Sequence, residues 1–486
     1  MPRPARTSLF CAVAFAVTAA GAGCRRSSSS TTDAEVAAYR EPAARIVEAT
    51  RDGNGAYRRV ADLTDLFGPR PTGSPALAHA IEWARDTFVA DGQENVALEP
   101  VRVPVWVRGH EAAEIVAPSP RKLALLGLGT SVGTPPEGIT ADVLVVTSFD
   151  ELARRGAEAK GKIVLFNRPF ATGIDPTEAY HDALPYRTEG AARAAAYGAV
   201  AALVRSLASA SLGAPHTGAM HDGPGSHIPA AALSVEDAAL VGRLAARGPV
   251  RLHLTMADQN LPDGDSFNVT ADLRGRERPD EIVVISAHID SWDVGQGAQD
   301  DGSGCAVVME ALATLRRLGL VPRRTVRAVL YTSEEVGVRG GHAYADAHAG
   351  ELARHVAAFE TDVGAGVPLG FHMDAVPAAV AEARALVTLL APIGATSLEP
   401  GFAGADVAQM RAAGVPMLGL VSDPTHYFDV HHSAADTLDK IDPANLGRNV
   451  AAMATMAFVV ADRPTRWPAS PPPAPAAPRP DAGADR

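Results

Sequence analysis

The chain has 486 residues, 47% of them hydrophobic and 21% charged, a balance that suits a large buried core and excludes a disordered polyelectrolyte. That length exceeds what one hydrophobic core usually serves, so a large domain with a smaller one, or with an insertion, is expected. A net charge of -12 with no basic stripe to offset it excludes nucleic acid as a natural partner.

Residues 1–23 read as an export signal: Arg3 and Arg6 precede the apolar run LFCAVAFAVTAA, and the small residues GAG precede Cys24. The run is short for a membrane span. Small residues ending on a cysteine resemble a bacterial lipoprotein signal, with Gly21 where a leucine is usual. Acylated Cys24 would then anchor an exported protein to a membrane, facing the periplasm or the cell exterior. Simple cleavage to a soluble secreted or periplasmic form is the alternative. Of three cysteines, Cys11 leaves with the signal, and Cys24 and Cys305 form no disulfide framework.

Residues 24–34, with the run SSSSTT, read as a polar tether, and residues 465–486 as a Pro/Ala-rich disordered tail. Between them, helical patterns cover Glu35–Leu66 and Ala76–Ala90, separated by the breaker-rich GPRPTGSP. Residues 101–255 change character, with the short β-like runs ADVLVV and GKIVLF and an alanine-rich stretch, and read as an inserted α/β subdomain. From Asn268 onward strands and helices alternate: FNVTADL, EIVVISA, a helix over Gly304–Leu318, TVRAVLYT, a helix over Arg339–His348, HVAAFE, a helix over Ala378–Ala391, VPMLGLV, and a helix over Pro443–Val460. The fold class is therefore α/β, a mixed, largely parallel sheet between helices, formed by residues 35–100 and 256–464.

In such sheets ligands bind beyond the carboxyl ends of the strands. There the sequence places His288, Asp290, Asp300 and Asp301 after EIVVISA, and Glu334 and Glu335 after TVRAVLYTS. Asp362 follows HVAAFET, and His431, His432 and Asp436 follow VPMLGLVSD. Any one acid after a strand is most often a helix cap or a solvated loop residue. Four strands delivering carboxylate or imidazole to one sheet edge are not explained that way, because so many like charges need compensating cations once desolvated. Histidines and carboxylates without thiolate suit zinc or a similar divalent ion. One catalytic zinc needs three protein ligands, so the surplus points to two ions sharing a bridging carboxylate.

Together HIDSWDVGQGAQDD, TSEEVG, ETDVGA and HHSAADT resemble the co-catalytic zinc peptidases of the bacterial leucyl aminopeptidase and glutamate carboxypeptidase type, and KGKIVLFNR with GAVAALVRS resembles their protease-associated insertion. The resemblance covers Asn268–Asp462 and, more weakly, GPRPTGSP. It implies two Zn2+ per chain, with His288 and Asp362 on one ion, Glu335 and His432 on the other, and Asp300 bridging both through a residue followed by a cis peptide bond. His432 is chosen over His431 because it stands four before Asp436 of the DT pair, and the role of His431 stays open. Glu334 would be the general base, Asp290 would orient His288, and Asp436 would support a ligand from behind. The implied activity is hydrolysis of short peptides or dipeptides, as aminopeptidase or dipeptidase, by a metal-activated water deprotonated by Glu334.

Rival readings are a single-zinc glutaminyl cyclase-like acyltransferase, and an inactive binding or receptor module that has lost ligands; none of the expected ligands is missing here. A membrane partner enters only through Cys24, and a homodimer is a possible assembly. Trp292 reads equally as pocket lining or packing, Asn268 of NVT as a strand residue rather than a glycan acceptor, and Cys305 as a small packing residue.

Overall fold

The computed structural model describes residues 27–221 and 228–471. The signal segment, Cys24 and the last part of the Pro/Ala-rich tail lie outside them. Among the described residues no helix is long and apolar enough to cross a membrane.

Two eight-stranded sheets organise the chain. In the first the strand order is Glu94–Val107, Gln259–Leu273, Arg324–Tyr331, Arg278–His288, His355–Glu360, Met417–Ser422, Pro368–Asp374 and Ser397–Pro400. Four central strands, those ending at Tyr331, His288, Glu360 and Ser422, run parallel. The outer pairs are antiparallel except Pro368–Asp374 with Ser397–Pro400. The mixed, largely parallel sheet expected from the sequence is thus present.

Side chains alternate across a strand, so a run buried on both faces must be apolar throughout. In Arg278–His288, Val283, Ile285 and Ala287 face a core shared with the helices Asn54–Phe67, Ser303–Arg317 and Pro443–Asp462. Ile282 and Val284 face the opposite core, with Tyr344 of the helix Arg339–Ala347 and Met410. Two short strands, Pro368–Asp374 and Ser397–Pro400, escape the sequence reading; Pro368, Gly370 and exposed Leu369 break the apolar pattern.

The boundaries differ from expectation in three places. Residues 27–34 continue a helix, Ser27–Ala49, instead of forming a tether. Val36, Tyr39, Ala43 and Ile46 anchor that helix in the core, and extending a nucleated helix costs little even through Ser and Thr. The strand Glu94–Val107 belongs wholly to the first sheet, paired with Gln259–Leu273, so the chain enters the insertion near residue 108 and not at 101. The start of the expected tail is packed: Trp467 is buried beside Arg463, and Ser470 N donates to the Gly414 carbonyl.

The insertion forms the second sheet, in the order Arg121–Leu123, Glu111–Ala117, Arg251–Met256, Ile139–Val146, Ile163–Phe166, Ala201–Arg205, Ala230–Leu233 and Leu125–Gly127. It has cores of its own on both faces.

Candidate metal centre

The residues expected to act together meet at the carboxyl ends of the parallel strands. His288 is the last residue of its strand. Asp300 and Asp301 sit in the tight turn Ala298–Gly302, where the Asp300–Asp301 peptide is cis. Glu334 and Glu335 follow Arg324–Tyr331, Asp362 follows His355–Glu360, and His431 and His432 follow Met417–Ser422 after one short helix, Tyr427–Val430.

Asp300 divides its two oxygens. Oδ1 lies 3.2 Å from His288 Nε2, and Oδ2 lies 3.1 Å from His432 Nε2. Each imidazole faces one further carboxylate: His288 Nε2 is 3.2 Å from Asp362 Oδ1, and His432 Nε2 is 3.0 Å from Glu335 Oε2. Donor atoms about 2.0–2.2 Å from one tetrahedral zinc lie roughly 3.3–3.5 Å from each other, close to these separations. Asp300 Oδ2 and Glu335 Oε1 are buried without a hydrogen-bond partner, an expense a native structure accepts where something else satisfies them. The five residues therefore fit a pair of divalent cations on either side of Asp300.

The electrostatics agree. Burial opposes charge on every member, yet Asp362 and the contacts of Asp290 and Asp300 hold His288 well above the usual imidazole range. Glu335 and Asp300 lift His432 to about 9 against the same desolvation. Asp300 itself, despite burial, is held well below the carboxylate range by His288 and His432. The cluster demands positive charge, and a dication bound there would displace the imidazole protons.

The surrounding contacts fix these groups in place, partly as expected. His288 Nδ1 is 3.1 Å from the Asp290 backbone carbonyl and 3.6 Å from its carboxylate, so the main chain is the nearer orienting group. The Asp290 carboxylate instead accepts Glu334 N at 3.1 Å and Thr72 Oγ1 at 3.0 Å. Asp436 touches no imidazole; it accepts Gln299 N at 2.7 Å and Asp300 N at 3.2 Å, gripping the turn that carries Asp300. Asp301 accepts the His288 and Gly304 amides from below. Gly304 is required there, because a Cβ would stand 2.2 Å from Asp301 Oδ1.

Further contributors carry little sequence signal. Arg70, fully buried in GPRPTGSP, donates to the carbonyls of Gly68, Ile289, Gln296 and Gly297 and so clamps the loop between His288 and Asp300. The segment is marked in the sequence by its breaker-rich composition and by the weaker part of the family resemblance, neither of which singles out Arg70. Trp292 serves both suggested purposes: its Nε1 donates to Glu335 Oε2 at 2.6 Å, and its ring lines a narrow cleft with Pro71, Trp106, Thr130 and Val336. His431 stacks on His432 with centroids 3.6 Å apart, its Nε2 3.4 Å from Asp300 Oδ2, so it stands as an additional donor to that side. Cys305 is buried with Sγ against the His288 carbonyl, and Asn268 is buried with its amide on Gly340 and Thr332, which suits packing and not glycosylation.

Residues 268–457 match the peptidase family M28, and residues 121–241 match the PA domain. The chain is 43% identical to carboxypeptidase Q of Bos taurus over 433 residues, 88% of this chain and 90% of that one. It is 43% identical to carboxypeptidase Q of Homo sapiens over 419 residues, 86% and 87% of the two chains. Among solved structures, the peptidase M28 precursor from Shewanella amazonensis SB2B is 34% identical, with a TM-score of 0.87 over 90% of this chain and 100% of that one. The aminopeptidase from Aneurinibacillus sp. strain AM-1, 22% identical with a TM-score of 0.61 over 88% and 98% of the chains, shares the fold.

Proposed function

The chain belongs to peptidase family M28, and we propose that it is an exported exopeptidase that holds two zinc ions and hydrolyses short peptides as an aminopeptidase or dipeptidase. One observation carries the reading: Asp300 turns one oxygen to His288 with Asp362 and the other to His432 with Glu335. A single-zinc acyltransferase has no use for the second half of that arrangement, and an inactive module has no use for either.

His288, Asp362 and Asp300 would hold one ion, and Glu335, His432 and Asp300 the other. Zinc at such a site polarises a carbonyl and lowers the pKa of neighbouring water. Glu334 takes the proton from that water and returns it to the leaving amine. Its surroundings support this role. Burial pushes the Glu334 carboxyl well above its usual range, with His288 opposing and Asp362 and Glu335 adding to the rise. Cations held by the neighbouring ligands would act in the other direction and favour the carboxylate that a base requires. The Glu334 backbone is pinned by Asp290, while among the described residues its carboxylate accepts no hydrogen bond and is left to water and substrate. The cleft beside Glu335 that Trp106, Trp292 and Val336 line offers apolar surface to a substrate side chain.

A library of dipeptides and aminoacyl amides, assayed with metal-stripped and zinc-loaded protein while each terminus is blocked in turn, tests the reading. Zinc-dependent cleavage that needs a free amino terminus is expected, and the carboxyl-blocked set separates aminopeptidase from dipeptidase. Turnover indifferent to zinc, or cleavage of peptides blocked at both ends, overturns it.

Two further outcomes follow from individual contacts. Trp292→Phe keeps an aromatic ring, though a smaller one, and removes the donor on Glu335 Oε2; loss of such an outer partner costs about 10- to 100-fold in metal affinity. Zinc titration of the variant should show that weakening at one site only. Cys24→Ser should move active enzyme from the membrane to the soluble fraction of the producing cell. Unchanged membrane association, or a mature chain beginning elsewhere, removes the lipid anchor from the account.

A further inference from the structure

The PA insertion reaches the metal centre through Thr217 and Arg187. The backbone of Thr217, in the loop after the insertion strand Ala201–Arg205, meets the backbone and ring of His432 at once. Thr217 N donates to the His432 carbonyl at 2.9 Å, and the Thr217 carbonyl lies 3.2 Å from His432 Nδ1. A carbonyl oxygen only accepts, so the contact favours the hydrogen on Nδ1 and leaves Nε2, which faces Asp300 and Glu335, as the nitrogen that would offer its lone pair to an ion once its own proton is displaced. His432 also sits at φ +58°, a left-handed conformation that a non-glycine residue keeps only where its surroundings hold it. The Thr217 amide on its carbonyl supplies that hold.

Arg187, from the insertion helix Pro176–Thr188, closes the arrangement. It is 8% exposed, and its Nη1 lies 2.8 Å from Tyr180 Oη, 3.5 Å from the Thr217 carbonyl and 3.4 Å from His432 Nδ1. Of the other buried arginines, Arg324 and Arg463 are paired with carboxylates, and Arg70 is satisfied by four backbone carbonyls. Arg187 has no carboxylate partner among the described residues, and its Nε is buried without a partner. Its guanidinium lies so close to Gly218 that a Cβ there would stand 2.3 Å from Cζ. The guanidinium is thus pressed against the peptide that holds His432.

We infer that the PA insertion is a working part of the metal centre. Thr217, through its peptide, and Arg187, through its contact with that peptide, are positioning residues that present His432 Nε2 to the ion it shares with Glu335. The inference rests on the proposed reading of His432 and Glu335 as metal-holding residues. It makes occupancy of that ion, and not of the one beside His288, depend on a domain outside the catalytic sheet.

Gly218→Ala drives a methyl group into the Arg187 guanidinium, and Arg187→Met removes the donor. Zinc titration against a competing chelator, on the full-length protein, should show one site weakened about 10- to 100-fold in each variant and the other unchanged. Arg187→Lys, which keeps one donor for the Thr217 carbonyl, should recover most of the affinity, an outcome that mere support of the insertion would not produce. Arg193→Ala, an exposed position on the same insertion paired with Glu189, should leave both sites as they are. Should Gly218→Ala not fold, Arg187→Met and Arg187→Lys carry the test alone. If wild type binds two ions and Arg187→Met binds both with unchanged affinity, the inference is overturned while the two-zinc reading stands. If wild type binds only one ion, the two-zinc reading falls and takes the inference with it.

Discussion

Glu334→Gln should leave two zinc ions bound and lower kcat by about 10²- to 10⁴-fold, the usual contribution of a general base. Glu335→Gln, one residue away, should instead lose one ion, with part of the turnover recovered in excess zinc. The contrast comes from where the chain turns after Arg324–Tyr331. Ser333 adopts φ +57°, and the two glutamates leave the turn in different directions. Glu335 meets Trp292 Nε1 and His432 Nε2, whereas Glu334 is tied down through its backbone, its amide donating to Asp290 and its carbonyl accepting Val338 N. The glutamine amide keeps the size of either side chain, so packing is preserved in both variants. If the pair merely capped the segment that follows, each change would cost about 0.5 to 2 kcal/mol of stability and leave turnover nearly intact. Bound zinc and turnover measured on the same preparations decide the matter. Metal loss in the Glu334 variant, or near-normal turnover with both ions present, takes the role of base away from Glu334.

Much of the centre was legible because of how parallel sheets are buried. Strands covered on both faces are continuous apolar runs, and EIVVISA, TVRAVLYT, HVAAFE and VPMLGLV stand out as such. Once their ends are located, the polar residues just beyond them are the only ones that can share a site, and the structure brings His288, Asp300, Glu335, Asp362 and His432 together there. What was not legible works through the main chain. Arg70 grips four carbonyls, Asp436 grips two amides, and Thr217 meets His432 with its peptide. Backbone groups are the same at every position, so no spacing of residue types announces such contacts. The entry to the insertion was misplaced for a related reason. Val101, Val103 and Val105 alternate like any strand of either sheet, and only their pairing with Gln259–Leu273 assigns them to the first.

Asp300→Asn should be the more damaging change, because in the proposed centre it strikes both ions at once. The amide retains one oxygen and replaces the other with an NH2 that has no lone pair to offer, so one side of the centre loses a donor outright. Asp436 still holds the turn, since it binds the backbone amides of Gln299 and Asp300 and not the side chain. The local fold therefore survives, and the effect is on charge and coordination. Asp300 is the acid facing both imidazoles, with His288 and His432 at 3.2 and 3.1 Å. Its neutralisation removes half of the compensating charge from each side, and the affinity loss should exceed the roughly 10- to 100-fold expected for an outer partner. Excess zinc should restore less activity than it does for Glu335→Gln. Thermal unfolding gives an independent reading. A ligand bound only by the folded chain stabilises it by about 2.7 kcal/mol when present at 100 times its Kd. Zinc should thus raise the melting temperature of the wild type and have little effect on Asp300→Asn, while the two metal-free proteins melt much closer together. A variant that still binds two ions, and still gains the full zinc-dependent stabilisation, would mean that Asp300 does not bridge and that the two halves of the site hold their ions independently.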